Sequence, residues 1–126
     1  MNVLDTSGWL EYFADGPNAE VFAEPLAEPA DLVVPVITIY EVFKRVLQQV
    51  DETAALEAVA LMGQGRVVDL DSTTALGAAK LSVDHSLPMA DALILATARS
   101  HGATLWTQDE DFADLPGVRY FEKGRG

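Results

Sequence analysis

The chain has 126 residues, a length that suits one compact domain, and its hydrophobic content of 49% is ample for a core. It contains no cysteine, which excludes disulfides, thiolate zinc sites and cysteine nucleophiles. Its 20 acidic residues outnumber 8 basic ones, and the net charge of −12 argues against a general nucleic-acid-binding protein with a basic surface.

The predicted elements alternate between strands and helices. Strands are expected at 3–5, 32–36, 66–70, 103–107 and 118–121. Helices are expected at 9–13, 19–23, 38–50, 51–62, 72–85 and 89–101, with a helical turn at 109–113. Thr6 and Ser7 are candidate caps for the first helix, Asp71 or Ser72 is expected to cap the helix at 72–85, and a break is expected around Pro25. Along the helix at 38–50, apolar residues at helical spacing predict a stripe that faces the core: Ile39, Val42, Phe43, Val46, Leu47 and Val50. The alternation predicts an α/β fold with a mostly parallel sheet covered on both faces, and we expect a single domain over residues 1–126.

No apolar run approaches the ~20 residues of a membrane span. The first predicted strand lies at the very start of the given sequence, so we expect no signal peptide and a cytoplasmic protein without a membrane partner.

Four acidic residues lie at predicted strand-to-helix junctions: Asp5, Glu41, Asp91 and Asp109. The carboxyl ends of parallel strands share one edge of a sheet, so these side chains should meet there although they are far apart in sequence. Unpaired carboxylates at close range repel one another and need protons or cations. Carboxylate and water ligands favour Mg²⁺ or Mn²⁺, so the pattern predicts a metal-dependent hydrolase.

Two of these acids also have structural interpretations. Asp5 could simply favour a helix start through the helix dipole. Glu41 fits a capping box with Thr38, and it precedes Lys44 and Arg45 by three and four residues, where helix ion pairs form.

The other two acids are harder to explain structurally. Asp91 lies in the nearly apolar stretch 87–98, where a carboxylate is costly unless it is paired or binds a metal. Asp109 is followed closely by Glu110 and Asp111, and although Thr107 and Glu110 could form a capping box, three acids in four residues exceed what a cap requires.

The sequence resembles the PIN-domain ribonucleases, in particular the VapC-type toxins of bacterial toxin–antitoxin pairs. The resemblance covers essentially the whole chain and depends on the segments 3–7, 88–92 and 105–112 together with Glu41. It implies a PIN-like three-layer fold with a five-stranded, mostly parallel sheet, and a pocket in which Asp5, Glu41, Asp91 and Asp109 bind Mg²⁺ or Mn²⁺.

The resemblance also implies finer roles. Asp5 and Asp91 would be the most direct ligands, Asp111 could join them, and Thr6 or Ser7 and Thr107 would orient ligands or water. The implied reaction is hydrolysis of RNA phosphodiester bonds by a metal-activated water. Either Glu41 or Asp109 could act as the base. A homodimer and an inhibitory antitoxin are implied as well, and the acidic charge of the chain favours a basic docking segment on that antitoxin.

Two other classes remain as alternatives. One is a PIN-like scaffold that binds partners without cleaving RNA. The other is a phosphoacceptor receiver module, which is disfavoured because one acid rather than two follows the first strand and no lysine lies near the predicted strand ends. A thin basic patch at Arg119, Lys123 and Arg125 is best explained as a solvated tail.

Overall fold

The computed structural model describes residues 1–124 and confirms the predicted alternation of strands and helices. The strands are β1 (Asn2–Leu4), β2 (Val33–Pro35), β3 (Arg66–Val68), β4 (Thr104–Thr107) and β5 (Val118–Tyr120). The helices are α1 (Thr6–Phe13), α2 (Ala19–Leu26), α3 (Val36–Gln49), α4 (Glu52–Met62), α5 (Ser72–His85) and α6 (Met89–Ser100). Short 3₁₀ turns lie at Pro29–Asp31 and Glu110–Phe112. Arg125 of the predicted basic patch lies outside the described residues.

The strands pair in parallel, as predicted, but the single five-stranded sheet is wrong. β1, β4 and β5 form one sheet in the order β1-β4-β5, and β2 pairs with β3 in a second sheet. A lone parallel bridge between Asn2 and Leu32 connects the two sheets. β1 and β2 have only three residues each, so the edge between them offers few backbone groups for a continuous ladder.

Successive strand residues face opposite sides of the sheet, and this alternation produces the predicted three layers. Val3 and Leu105 pack on one side with the buried face of α6, while Leu4 and Trp106 pack on the other side with residues of α1 to α4. β1, β2 and β4 therefore contribute to both hydrophobic clusters, and helices cover both faces.

Aspartate caps fix the starts of two outer helices. The side chains of Asp51 and Asp71 accept the backbone N–H groups of Ala54 and Thr74, each at 2.8 Å. Caps of this kind contribute about 1 kcal/mol each. The cap predicted for α5 at position 71 or 72 is thus Asp71.

Two local predictions on the helices are wrong. α2 continues through Pro25 to Leu26, because the proline lies in the last turn with its ring buried and interrupts the helix only at its end. The apolar stripe predicted to face the core along α3 includes Leu47 and Val50, yet they are 44% and 67% exposed. Leu47 lies in the last turn of α3, and Val50 is the residue that follows the helix. Among residues 1–124, no helix combines the length and apolar character needed to cross a membrane.

Candidate metal centre

The topology brings the predicted acids to one edge of the molecule. β1 and β4 are neighbouring parallel strands with Leu4 opposite Trp106, so Asp5 and Thr107 emerge side by side. Asp109 follows two residues later, Asp91 lies in the first turn of α6, and Glu41 lies in the second turn of α3. Because β1 and β4 are parallel neighbours, the residues that follow them lie at the same edge of the sheet, as the sequence predicts.

Asp5 is the deepest of the acids, with 2% of its surface exposed. Its Oδ1 atom accepts the backbone N–H of Gly8 at 2.9 Å, so Asp5 itself caps α1 rather than the predicted Thr6 or Ser7. Its Oδ2 atom accepts the Thr107 hydroxyl at 2.6 Å, and the Ser7 hydroxyl donates to the same carboxylate at 2.8 and 2.9 Å. Every donor in this set favours the ionised form.

The direction of these hydroxyl groups is set by backbone amides. The N–H of Asp109 donates to Thr107 Oγ1 at 2.9 Å, and the N–H of Gln108 donates to Ser7 Oγ at 3.3 Å. Each hydroxyl oxygen is occupied as an acceptor, so its own hydrogen is available for Asp5. The loop after β4 thus orients the carboxylate at the end of β1, and Ser7, considered from sequence mainly as a cap, belongs to this network.

Burial and hydrogen bonding act on Asp5 in opposite directions. The pKa of Asp5 is raised to about 6. Loss of water around the buried carboxyl raises it most, the hydrogen bonds from Thr107, Gly8 and Ser7 lower it, and the nearby Asp109 charge adds a smaller increase. A nearby cation would shift this balance toward the carboxylate.

The tightest group of carboxylates consists of Asp91, Asp109 and Asp111. One oxygen from each lies within 4.8 Å of the others, and the first two residues are half-buried while Asp111 is exposed. Asp109 also accepts the backbone N–H of Asp111 at 3.0 Å, which holds both residues at the start of the 3₁₀ turn. Asp109 rather than Thr107 therefore caps this turn.

The pKa of Asp91 connects this trio to the remaining acids. It is raised to about 7, first by burial and then by the charges of Asp109, Asp5, Glu41 and Asp111, in that order of importance. The charges of the other three acids predicted from sequence therefore all raise the pKa of Asp91. Asp5 and Glu41 lie outside the tight trio, and Asp111, predicted only as an auxiliary residue, lies inside it.

Glu41 is directed toward the site by a contact that helix capping does not explain. The Thr6 hydroxyl donates to Glu41 Oε1 at 2.5 Å, across 35 residues of sequence. Thr38 instead donates to the carbonyl of Pro35 at 2.7 Å, and α3 already begins at Val36. The capping box proposed for Thr38 and Glu41 is therefore wrong, and Thr6 serves to hold Glu41 toward α1.

The donor set fits a divalent cation. Asp91, Asp109 and Asp111 offer hard oxygen atoms of the kind that Mg²⁺ and Mn²⁺ prefer. Their mutual repulsion raises the pKa of Asp91, and a bound cation would remove that repulsion.

Comparisons with known proteins give consistent results. The sequence model of a family described as the PIN domain matches residues 3–118. A toxin–antitoxin complex from Klebsiella pneumoniae contains a chain with 27% identity and a TM-score of 0.79, covering 97% of this chain and 99% of that one. VapC20 of Mycobacterium tuberculosis, a toxin that cleaves the sarcin–ricin loop, has 19% identity and a TM-score of 0.78, with 92% and 95% covered.

A further structure, FitAcB from Neisseria gonorrhoeae, has 23% identity and a TM-score of 0.72, with 97% of each chain covered. At identities of 19% and 23%, the similarity to VapC20 and to FitAcB is a similarity of fold. No curated protein matches the sequence.

Proposed function

The chain belongs to the PIN-domain family, and from this premise we propose that it is a cytoplasmic, metal-dependent endoribonuclease and the toxin of a toxin–antitoxin pair. Residues 1–126 would form one nuclease domain. The observation that carries the proposal is the trio Asp91, Asp109 and Asp111, whose oxygen atoms lie within 4.8 Å of one another. Asp5 and Glu41 act on the same trio through their charges.

In this proposal Asp91, Asp109 and Asp111 hold Mg²⁺ or Mn²⁺, with Asp5 and Glu41 completing the acidic pocket. When bound, the cation would lower the pKa of a water molecule and stabilise the negative charge that develops on the phosphate. It would also reconcile an acidic pocket with a polyanionic substrate by reversing the local field.

The side chains of the chain itself have separate tasks. Asp5 is fixed in orientation by Thr107, Ser7 and Gly8, and its charge acts on Asp91 of the trio. Glu41 is held from the side by Thr6 and is the better placed of the two candidate bases, because it lies outside the trio that would bind the cation. This carboxylate would take a proton from the water molecule whose oxygen bonds to the phosphorus while the P–O3′ bond breaks. The leaving 3′ oxygen would take up a proton from solvent, so the RNA would end in a 5′-phosphate and a 3′-hydroxyl.

The proposed antitoxin contacts a large cleft between the α1–α2 and α3–α4 helix pairs. This cleft has a volume of about 1080 Å³ and is lined by apolar residues such as Leu10 and Phe13. Its charged residues are four acids and two cations: Glu11, Asp15, Glu20, Glu57, Arg45 and Lys123. Its wall includes Ser7 of the Asp5 network. A basic segment with apolar side chains matches this surface, in agreement with the net charge of −12. Weaker inhibition by the cognate antitoxin after Glu20→Lys would support this placement, and unchanged inhibition would contradict it.

The proposed homodimer has support in an exposed apolar surface on α5. Leu76 and Val83 lie two turns apart on one face of that helix and are 74% and 82% exposed. Together they offer an apolar contact surface to a second copy of the chain. Sedimentation velocity would detect a dimer that Val83→Glu converts to a monomer, and a wild-type monomer would refute the homodimer.

The nuclease proposal is tested by incubating the purified protein with total RNA and Mn²⁺ and separating the products on a denaturing gel. We expect cleavage by the wild type, none in EDTA, and none by Asp91→Asn or Asp5→Asn at matched circular dichroism. Asp84→Asn changes an exposed acid on α5 and serves as the control with full activity. Undiminished cleavage by Asp91→Asn would overturn the proposal, and a lack of Mn²⁺ binding in calorimetry would favour the non-cleaving scaffold.

A further inference from the structure

A second, smaller cleft adjoins the acidic pocket on the side of α3. Its volume is about 240 Å³. Thr6 and Glu41 form one part of its wall, and Tyr40, Lys44, Arg45 and Gln48 are among the residues that form the rest. The cleft therefore shares two residues with the candidate metal centre and adds cationic, aromatic and amide groups to it.

The position of these cations is notable for a chain of net charge −12 with only 8 lysines and arginines. Lys44 and Arg45 are exposed and lie one helical turn after Glu41, on the same face of α3. Their charges thus stand directly beside the acids, although the molecule as a whole repels polyanions.

Other cations of the chain have different surroundings. The Arg99 side chain donates to the carbonyl oxygen of Pro116 at 3.0 Å. The Arg119 guanidinium lies 4.2 Å from the centre of the Trp106 ring. Arg119 lines a separate cleft that shares no residue with the acidic pocket, whereas Lys44 and Arg45 line the cleft that contains Glu41.

Helix ion pairs with Glu41 are the structural alternative for Lys44 and Arg45. Glu41 has another partner, since its Oε1 atom accepts the Thr6 hydroxyl at 2.5 Å. Exposed ion pairs of this spacing contribute little to stability, so they do not by themselves account for two cations in this cleft.

An aromatic ring completes the cleft. Tyr40 is 60% exposed, and the Lys44 Nζ atom lies 5.8 Å from the centre of its ring. A cationic groove with an exposed aromatic side chain is the combination by which proteins bind single-stranded nucleic acids, because phosphates pair with the cations and bases stack on the ring.

We propose that Tyr40, Lys44 and Arg45 form a subsite for single-stranded RNA, in which the two cations bind a phosphate next to the one that is cleaved and Tyr40 stacks on the adjoining base. The inference rests on the proposed function and deepens it. The subsite places the strand across the acidic pocket, so its contribution lies in substrate binding rather than in the chemical step.

The test compares Lys44→Gln/Arg45→Gln with Arg66→Gln/Lys80→Gln, a control that removes one lysine and one arginine from exposed positions elsewhere. The probe for binding is a fluorescein-labelled, single-stranded 2′-O-methyl oligonucleotide in Mn²⁺, followed by fluorescence anisotropy and checked on a gel for integrity. The probe for cleavage is an RNA of the same sequence.

We expect the first variant to bind the oligonucleotide about ten-fold more weakly. Its plot of log K against log salt concentration should be flatter by about 0.7, since one phosphate contact to a single strand contributes about that much. KM should rise while kcat and the stabilisation by Mn²⁺ stay at wild-type values. Tyr40→Leu should weaken binding about ten-fold, and Tyr40→Phe, which keeps the ring, should not.

The outcomes separate the two proposals. If the wild type cleaves RNA but the Lys44/Arg45 variant has the same salt dependence and KM as the control, the subsite is refuted and the nuclease proposal stands. A fall in kcat at unchanged KM would also refute the subsite, because it would indicate a disturbed metal centre. If the wild type neither binds nor cleaves RNA, both proposals are overturned.

Discussion

Replacing Asp91 by asparagine should have opposite effects on stability and on activity. Asparagine has nearly the same shape as aspartate and carries no charge, so it removes both the burial penalty and the repulsion from the neighbouring acids. Without metal at pH 8, the variant should therefore be more stable than the wild type. With metal it should lose the site that the carboxylate completes.

The magnitude follows from the pKa of Asp91, which is raised from 3.8 to about 7. Keeping this carboxyl ionised at pH 8 would cost about 4 kcal/mol, because one pH unit corresponds to about 1.4 kcal/mol. Asp91 is only half-buried, and screening by solvent reduces the figure to about 1–2 kcal/mol. For a chain of this size the melting temperature of the variant should rise by about 4–8 °C.

The sign of the pH dependence is fixed by linkage. A carboxyl whose pKa is higher in the folded state binds more protons there than in the unfolded chain. Its contribution to stability is fully present below pH about 4 and is lost as pH rises through about 7. The difference between the variant and the wild type should thus be small at pH 4 and largest at pH 8.

Thermal melts in EDTA at pH 4, 6 and 8, repeated with excess Mn²⁺ at pH 8, measure these effects. Mn²⁺ at one hundred times its dissociation constant should stabilise the wild type by about 2.7 kcal/mol and the variant by much less. Asp84→Asn, at an exposed position, should melt within about 0.5 kcal/mol of the wild type throughout. The reasoning is refuted if Asp91→Asn melts at or below the wild type in EDTA at pH 8, or if Mn²⁺ stabilises both proteins equally.

Other substitutions test the contacts that build the site. Thr107→Val removes the hydroxyl that accepts the Asp109 amide; it should lower the free energy of unfolding in urea by about 1–3 kcal/mol, whereas Thr107→Ser should stay near the wild type. Gly8→Ala places a methyl group 3.0 Å from the Phe22 ring and should destabilise by about 1–3 kcal/mol. Gly77→Ala meets no atom within 4 Å on α5 and should stabilise by about 0.5–1 kcal/mol; equal effects of the two alanines would contradict the packing described for α1.

The sequence was sufficient for features that depend on neighbouring residues. Hydrophobic periodicity located the strands and helices, and Asp71 was recognisable as a cap because the capping contact spans only three residues. The acids at the strand ends indicated a shared site, since parallel strands necessarily bring their carboxyl ends to one edge. Local patterns gave a wrong prediction for the capping box of Thr38 and Glu41. Thr38 instead donates to the carbonyl oxygen of Pro35, and Glu41 accepts the hydroxyl of Thr6.

Tertiary structure alone decided which acids lie closest together and which groups orient them. Thr107 reaches Asp5 across 102 residues, and Thr6 reaches Glu41 across 35, so neither contact has a signature in local sequence. The same holds for the place of Asp111 within the trio and for the division of the sheet between β1 and β2. Such contacts depend on how strands and helices pack in three dimensions. The separation of two residues along the chain does not determine their distance in the folded protein.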